Sequence, residues 1–291
     1  MSQPLLFTER LTKDYGSFRA LADLNLSVAP GEIVGLLGPN GSGKSTALRL
    51  LLGFLRPTGG RAAIGGFDCW DQSVEARKRV AYLPGELRLY DTMTGRRLVT
   101  FLGRLRGAPP GAEVDALAKK LDIDIDRPLT HMSSGMKRKV ALLAVLLPKV
   151  PLIILDEPTN TLDPTMRDEL LEQLRSARAR GQAVLFSSHV LQEVEAVCDR
   201  VVVLRRGELV HVQQMAELRE GRSVSARLTG PAPPTGPDGS ALAPDAVAGG
   251  RLQLTFRGPL PALLDWLAQQ PLADLVIEAQ GLAPIYKKFH G

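Results

Sequence analysis

Gly38-Pro39-Asn40-Gly41-Ser42-Gly43-Lys44-Ser45 fits the pattern G-x-x-x-x-G-K-[ST] without a substitution. Residues of these types in this order suit a polyphosphate. The glycines let successive backbone N–H groups turn into one concavity, and the start of a helix adds partial positive charge. Lys44 supplies a point charge for the β- and γ-phosphates, and Ser45 a hydroxyl for Mg²⁺. Gly38 to Thr46 are therefore the candidate polyphosphate-binding residues, with Mg²⁺ expected beside them. A second group lies downstream, where Leu152-Ile153-Ile154-Leu155 runs into Asp156-Glu157. Asp156 can hold a dication, together with Ser45, and Glu157 can accept a proton from an attacking water. Two neighbouring carboxylates tolerate one another when a dication sits beside them.

Placing these groups requires buried strands that end where the acids and the glycine loop begin. Ile33 to Leu37, IVGLL, is an all-apolar run leading into the loop, and Leu48, Leu51, Leu52 and Leu55 recur at helical spacing behind it. Val80–Pro84, Leu152–Leu155, Ala183–Phe186 and Val201–Leu204 are further short apolar runs separated by helical patterns. That alternation predicts a parallel sheet in an α/β domain. Residues 136–147, MKRKVALLAVLL, predict a helix stopped by Pro148, and a charged helix is expected at about 164–180. Near residue 220 the composition changes. The segment 229–250, TGPAPPTGPDGSALAPDAVAGG, has the Pro/Gly-rich make-up of a linker or long loop. It separates two strand-like runs, SVSARLT and RLQLTF, and a helix and a strand follow.

Taken together, these motifs resemble the ATP-binding subunit of an ABC transporter over roughly residues 4–220, and several further positions fit that resemblance. It implies that Tyr15 stacks on adenine, although a tyrosine in a hairpin turn would look the same. Met132-Ser133-Ser134-Gly135-Met136 stands where the family carries its signature, usually LSGGQ; Ser134 and Met136 depart from it. The resemblance implies that Ser133, Ser134, Gly135 and Met136 contact the γ-phosphate held by an opposite subunit. Ser133 is equally a plain helix N-cap. Asp163, in Thr161-Leu162-Asp163-Pro164, corresponds to the loop that communicates across the dimer, and it also makes a good helix start. His189 corresponds to the switch histidine and joins Glu157 as a catalytic candidate. The glutamine expected after the strand Val80–Pro84 is replaced by Gly85, with Glu86 next. Either Glu86 takes over or the loop is chiefly a flexible coupling element. The run Tyr82-Leu83-Pro84-Gly85-Glu86 and the short appendage are similar to ATPases of bacterial ABC-2-type exporters.

The expected architecture is an α/β phosphate-loop NTPase core of ABC ATPase type in residues 1–221, with an antiparallel β subdomain and a helical insertion at about 90–148. Residues 222–291 form a small C-terminal α+β domain. The family implies a homodimer or a pair with a paralogous ATPase subunit, and a separate transmembrane permease. It places the chain at the cytoplasmic face of the cell membrane. The chain has 291 residues and a net charge of only +5, without a Lys/Arg block, so no nucleic acid partner is expected. No uninterrupted apolar run reaches about 18 residues, so the chain is not expected to span a bilayer. The N-terminus lacks the basic-then-apolar pattern of a secretory signal. Two cysteines, Cys69 and Cys198, make no disulfide framework and are expected as buried thiols. Rival readings are a soluble ABC-type ATPase acting on ribosomes or DNA, and a regulatory ATP-binding subunit with little turnover. A single phosphate loop and the absence of a heptad run weigh against the first. Intact Glu157 and His189 weigh against the second.

Overall fold

The computed structural model describes residues 3–89, 92–106, 111–242 and 246–290. Residues 90–91 and 107–110 of the expected helical insertion, and 243–245 of the Pro/Gly-rich loop, lie outside the described residues. The chain divides into two compact units, Met1–Val212 and Gln213–Phe289.

The first unit opens with strands β1 (Leu6–Tyr15), β2 (Phe18–Leu24), β3 (Ser27–Val28) and β4 (Ile33–Leu37), then helix α1 (Lys44–Leu51). Next come β5 (Gly59–Ile64), β6 (Phe67–Asp68), α2 (Ser73–Lys78) and β7 (Val80–Leu83). Helices α3 (Gly95–Leu105), α4 (Glu113–Lys120) and α5 (Ser134–Leu146) follow. The unit then alternates through β8 (Leu152–Asp156), α6 (Pro164–Ala179), β9 (Ala183–Ser188), α7 (Leu191–Val197), β10 (Arg200–Arg205) and β11 (Glu208–Gln214).

Two sheets result. One has the order β11-β10-β4-β9-β8-β7, and its pairings from β10 to β7 are parallel. Every residue of β4, β8 and β9 is buried. This is why those segments read as continuous apolar runs rather than alternating ones. The other sheet, β2-β1-β5-β6 with β3 against β1, is antiparallel. Its side chains Leu6, Leu11, Leu21 and Ile64 share one core with Leu48, Leu51, Val34 and Leu185. The glycine loop therefore leaves a strand fixed on both faces.

Local signals set the helix ends that face the site. Ser133 accepts from the Met136 amide at 3.3 Å, starting α5. Asp163 accepts from the Met166 amide at 3.0 Å, and Pro164 occupies the first turn of α6. Each such cap is worth about 1 kcal/mol.

The second unit holds α8 (Met215–Glu220), β12 (Gly221–Leu228), β13 (Val247–Ala248), β14 (Arg251–Arg257), α9 (Leu260–Ala268), β15 (Leu272–Ala279) and α10 (Ala283–His290). Its sheet has the antiparallel order β13-β14-β12-β15. Val224, Phe256, Leu263 and Leu267 form its core. Part of the Pro/Gly-rich loop is ordered by local bonds. Asp238 accepts from the Ser240 amide and hydroxyl, and Gly236 donates to the Ser240 carbonyl.

Candidate functional site

The glycine loop joins β4 to α1. Gly41 and Gly43 adopt φ of 79° and 104°, which L side chains rarely adopt. A Cβ on Gly43 would also lie 2.9 Å from the Ala20 carbonyl. Only glycine fits there, and the backbone turns inward as a result. Lys44 is 5 % exposed. Its ammonium donates to the Gly38 carbonyl at 2.6 Å and the Pro39 carbonyl at 3.2 Å, and lies 3.4 Å from Glu157 Oε1. Ser42 Oγ is buried without a hydrogen-bond partner, packed against Gly38. A cleft of about 240 Å³ is lined by Phe18, Ala20, residues 39–46 and Glu157.

The acids enter from the ends of neighbouring strands. Ser45 Oγ lies 3.4 Å from Asp156 Oδ1, and Ser187 Oγ donates to the same oxygen at 2.6 Å. Ser187 in turn accepts from the Glu157 amide at 3.0 Å. Glu157 sits at φ 47°, in the left-handed region, a conformation that persists only where neighbours hold it. His189 Nδ1 is 2.7 Å from Glu157 Oε2. One parallel sheet thus gathers Lys44, Ser45, Asp156, Glu157 and His189, which are far apart in sequence. The hard oxygens of Ser45 and Asp156 suit Mg²⁺, which favours oxygen ligands and keeps several waters.

The remaining candidates lie elsewhere. Ser133 to Met136 do not line the cleft. They start α5, and a Cβ on Gly135 would meet the Thr161 carbonyl at 3.1 Å. Asp163 caps its own helix. Tyr15 is exposed at the end of β1, with the Lys13 ammonium 5.1 Å from its ring centre, and it too is absent from the cleft lining.

Sequence reasoning missed three participants. Phe18, 65 % exposed, lines the cleft. Ser187 bridges Asp156 and Glu157. Arg138 lies buried beneath both acids, and burial pulls its guanidinium below its usual range while the Asp156 and Glu157 carboxylates oppose that shift. Tyr82, next to Asp156, has its phenol pushed up to about 12, first by burial and then by that carboxylate.

A parallel sheet with a phosphate loop at the end of one strand and an acid pair at the end of another defines a nucleotide-binding α/β ATPase. The family model described as "ABC transporter" matches residues 21–160. The ABC transporter ATP-binding protein NatA of Bacillus subtilis (strain 168) is 35% identical over 208 residues, 69% of this chain and 85% of that protein. The Nod factor export ATP-binding protein I of Paraburkholderia xenovorans (strain LB400) is 35% identical over 219 residues, 72% of this chain and 71% of that protein. A solved structure titled "Structure of ATP binding subunit of ABC transporter" superposes with a TM-score of 0.69 at 31% identity, covering 74% of this chain and 92% of that one. The chain belongs to the ATP-binding subunits of ABC transporters, and it is an ATPase.

Proposed function

We propose that this subunit powers an exporter by ATP-driven closure of a head-to-tail dimer. One observation carries the reading. The cleft is lined by one phosphate loop and Glu157, whereas Ser133 to Met136 lie outside it. A second subunit, an identical copy or a paralogue, would bring its own Ser133–Met136 to that opening. With identical copies the arrangement is an isologous dimer.

In this reading Lys44 and the loop amides hold the β- and γ-phosphates, with Tyr15 against the adenine. Ser45 and Asp156 would hold Mg²⁺, which would supply positive charge against the phosphates when bound. Glu157 takes the proton of the attacking water, and His189 orients Glu157 through the 2.7 Å contact. Asp163 faces the partner subunit across the dimer. Closure follows if ATP binds the closed arrangement more tightly than the open one.

Among the described residues, no helix is long and apolar enough to cross a membrane. A separate permease is proposed to supply the membrane passage, with this subunit on the cytoplasmic face. Export as the direction is supported by the similarity to the Nod factor export protein. The second compact unit is proposed to be dispensable for nucleotide binding, because the loop and acid pair draw on the first unit alone. A chain ending at Gly221 should bind ATP as the full chain does; loss of binding in a folded truncation would remove this division of roles.

The decisive experiment is affinity capture of the full chain from detergent-solubilised membranes, with mass spectrometry of what accompanies it. Stoichiometric recovery of a multi-span protein supports the transporter role. Recovery of ribosomes or DNA-bound proteins instead would overturn it.

A further inference from the structure

We infer that Arg138 is a positioning residue that locks the backbone of Glu157 to the helix carrying Ser133–Met136 and to the loop around Gly85. The inference rests on the role proposed above for Glu157.

Arg138 is 3 % exposed, and the hydrogen bonds of its guanidinium go to main-chain carbonyls. Nε donates to Pro158 O at 3.2 Å. Nη1 donates to Pro84 O at 3.2 Å and to Gly85 O at 2.8 Å. Nη2 donates to Asp156 O at 3.1 Å and also to Glu157 O. One planar group therefore gathers the ends of β7 and β8. Arginine alone among side chains offers five donors in a fixed fork.

Three features make this more than core packing. First, Glu157 is at φ 47°, and its carbonyl is among those held, so Arg138 secures the backbone that aims the carboxylate. Second, a Cβ on Gly85 would point at Asp156 Oδ2 from 3.4 Å. This chain lacks a side chain there to link the loop to the acids, and Arg138 makes the link from beneath through the Pro84 and Gly85 carbonyls. Third, Arg138 lies one turn into α5, two residues past the segment proposed to meet the partner's nucleotide. Movement of that helix would pull on the Glu157 backbone.

The test compares full-length wild type, Arg138→Lys and Arg138→Gln. ATP hydrolysis, affinity for a fluorescent ATP analogue, and amide hydrogen exchange are measured on each. Arg138→Gln should bind the analogue within about threefold of wild type, because the hydrogen bonds of Arg138 go to residues outside the Gly38–Thr46 loop. Its kcat should fall at least about tenfold, the scale expected when a general base is misplaced. Exchange should rise in segments 85–88 and 156–161 and stay unchanged in residues 38–46. Arg138→Lys, which keeps the charge but loses the fork, should fall between the two, and it serves if the Gln variant does not fold. Unchanged kcat in a folded variant would overturn the inference. So would a parallel fall in analogue affinity and kcat with exchange raised throughout the first unit, the pattern of a purely structural arginine. Glu157→Gln, measured alongside, separates the two claims. Full turnover in that variant would displace the base assignment and the positioning role that rests on it, whereas lost turnover there with unchanged kcat in Arg138→Gln would overturn the positioning role alone.

Discussion

The Lys44 ammonium lies 3.4 Å from Glu157 Oε1, so the cation assigned to phosphate and the carboxylate assigned to water share one small volume. Glu157→Gln keeps the shape and removes the charge. Turnover should fall by about 10²-fold or more, the range expected on loss of a general base. ATP binding should persist, and dimer should accumulate with ATP in size-exclusion chromatography. Steady-state hydrolysis near the wild-type rate would place the base elsewhere.

Lys44→Ala removes the buried ammonium that donates to Gly38 and Pro39. A charge-assisted hydrogen bond is worth roughly 1.5–3 kcal/mol, so ATP affinity should weaken by at least about tenfold. Calorimetric titration measures it. Unchanged affinity in a folded variant would remove the phosphate-loop role.

The two aromatic residues make separable predictions. Base stacking on an aromatic ring is worth about 1–3 kcal/mol, and it acts only on ligands that carry a base. Tyr15→Ala should weaken ATP binding and leave tripolyphosphate binding unaltered. Phe18→Ala, which strips one wall of the cleft, should do the same to a smaller extent. Equal losses for both ligands would show that these rings support the loop and not the base.

Cys69 is buried, and burial pushes its thiol up to about 12, with Asp68 adding to the shift. In the unfolded chain the thiol titrates near about 8.5. The folded state therefore binds the extra proton between these values. Its contribution is fully present below the unfolded pKa and drains away as pH rises towards the folded one. Thermal midpoints measured from pH 8 upward should decline, and Cys69→Ser should flatten that decline. An identical slope in the variant would contradict this account.

Much of the architecture was legible in the sequence because its signals are local. The order strand, glycine loop, helix around Gly38–Thr46 follows from an apolar run, residues tolerant of positive φ and a leucine stripe. The parallel strands follow from short apolar runs, and the starts of α5 and α6 from Ser133 and Asp163-Pro164. Arg138 was less visible. In the run Met136-Lys137-Arg138-Lys139 it reads as one of several solvated cations. Its one signal was helical phase, since Arg138, Ala141, Leu142 and Val145 fall on one stripe and all are buried. Ser187 and Phe18 carry no local pattern that marks either as part of the site.

By itself the sequence determined the phosphate loop, the acid pair, the alternation of strands and helices, and the family those motifs belong to. These are properties of contiguous residues, whose φ/ψ preferences and burial patterns act over a few positions. Tertiary structure alone decided that Arg138 would gather five carbonyls, that Ser187 would join Asp156 to Glu157, and that Ser133–Met136 would stand outside the cleft of their own chain. Those contacts join residues remote in sequence. They depend on the register of β7, β8 and β9 and on how α5 packs beside them, which no local preference specifies.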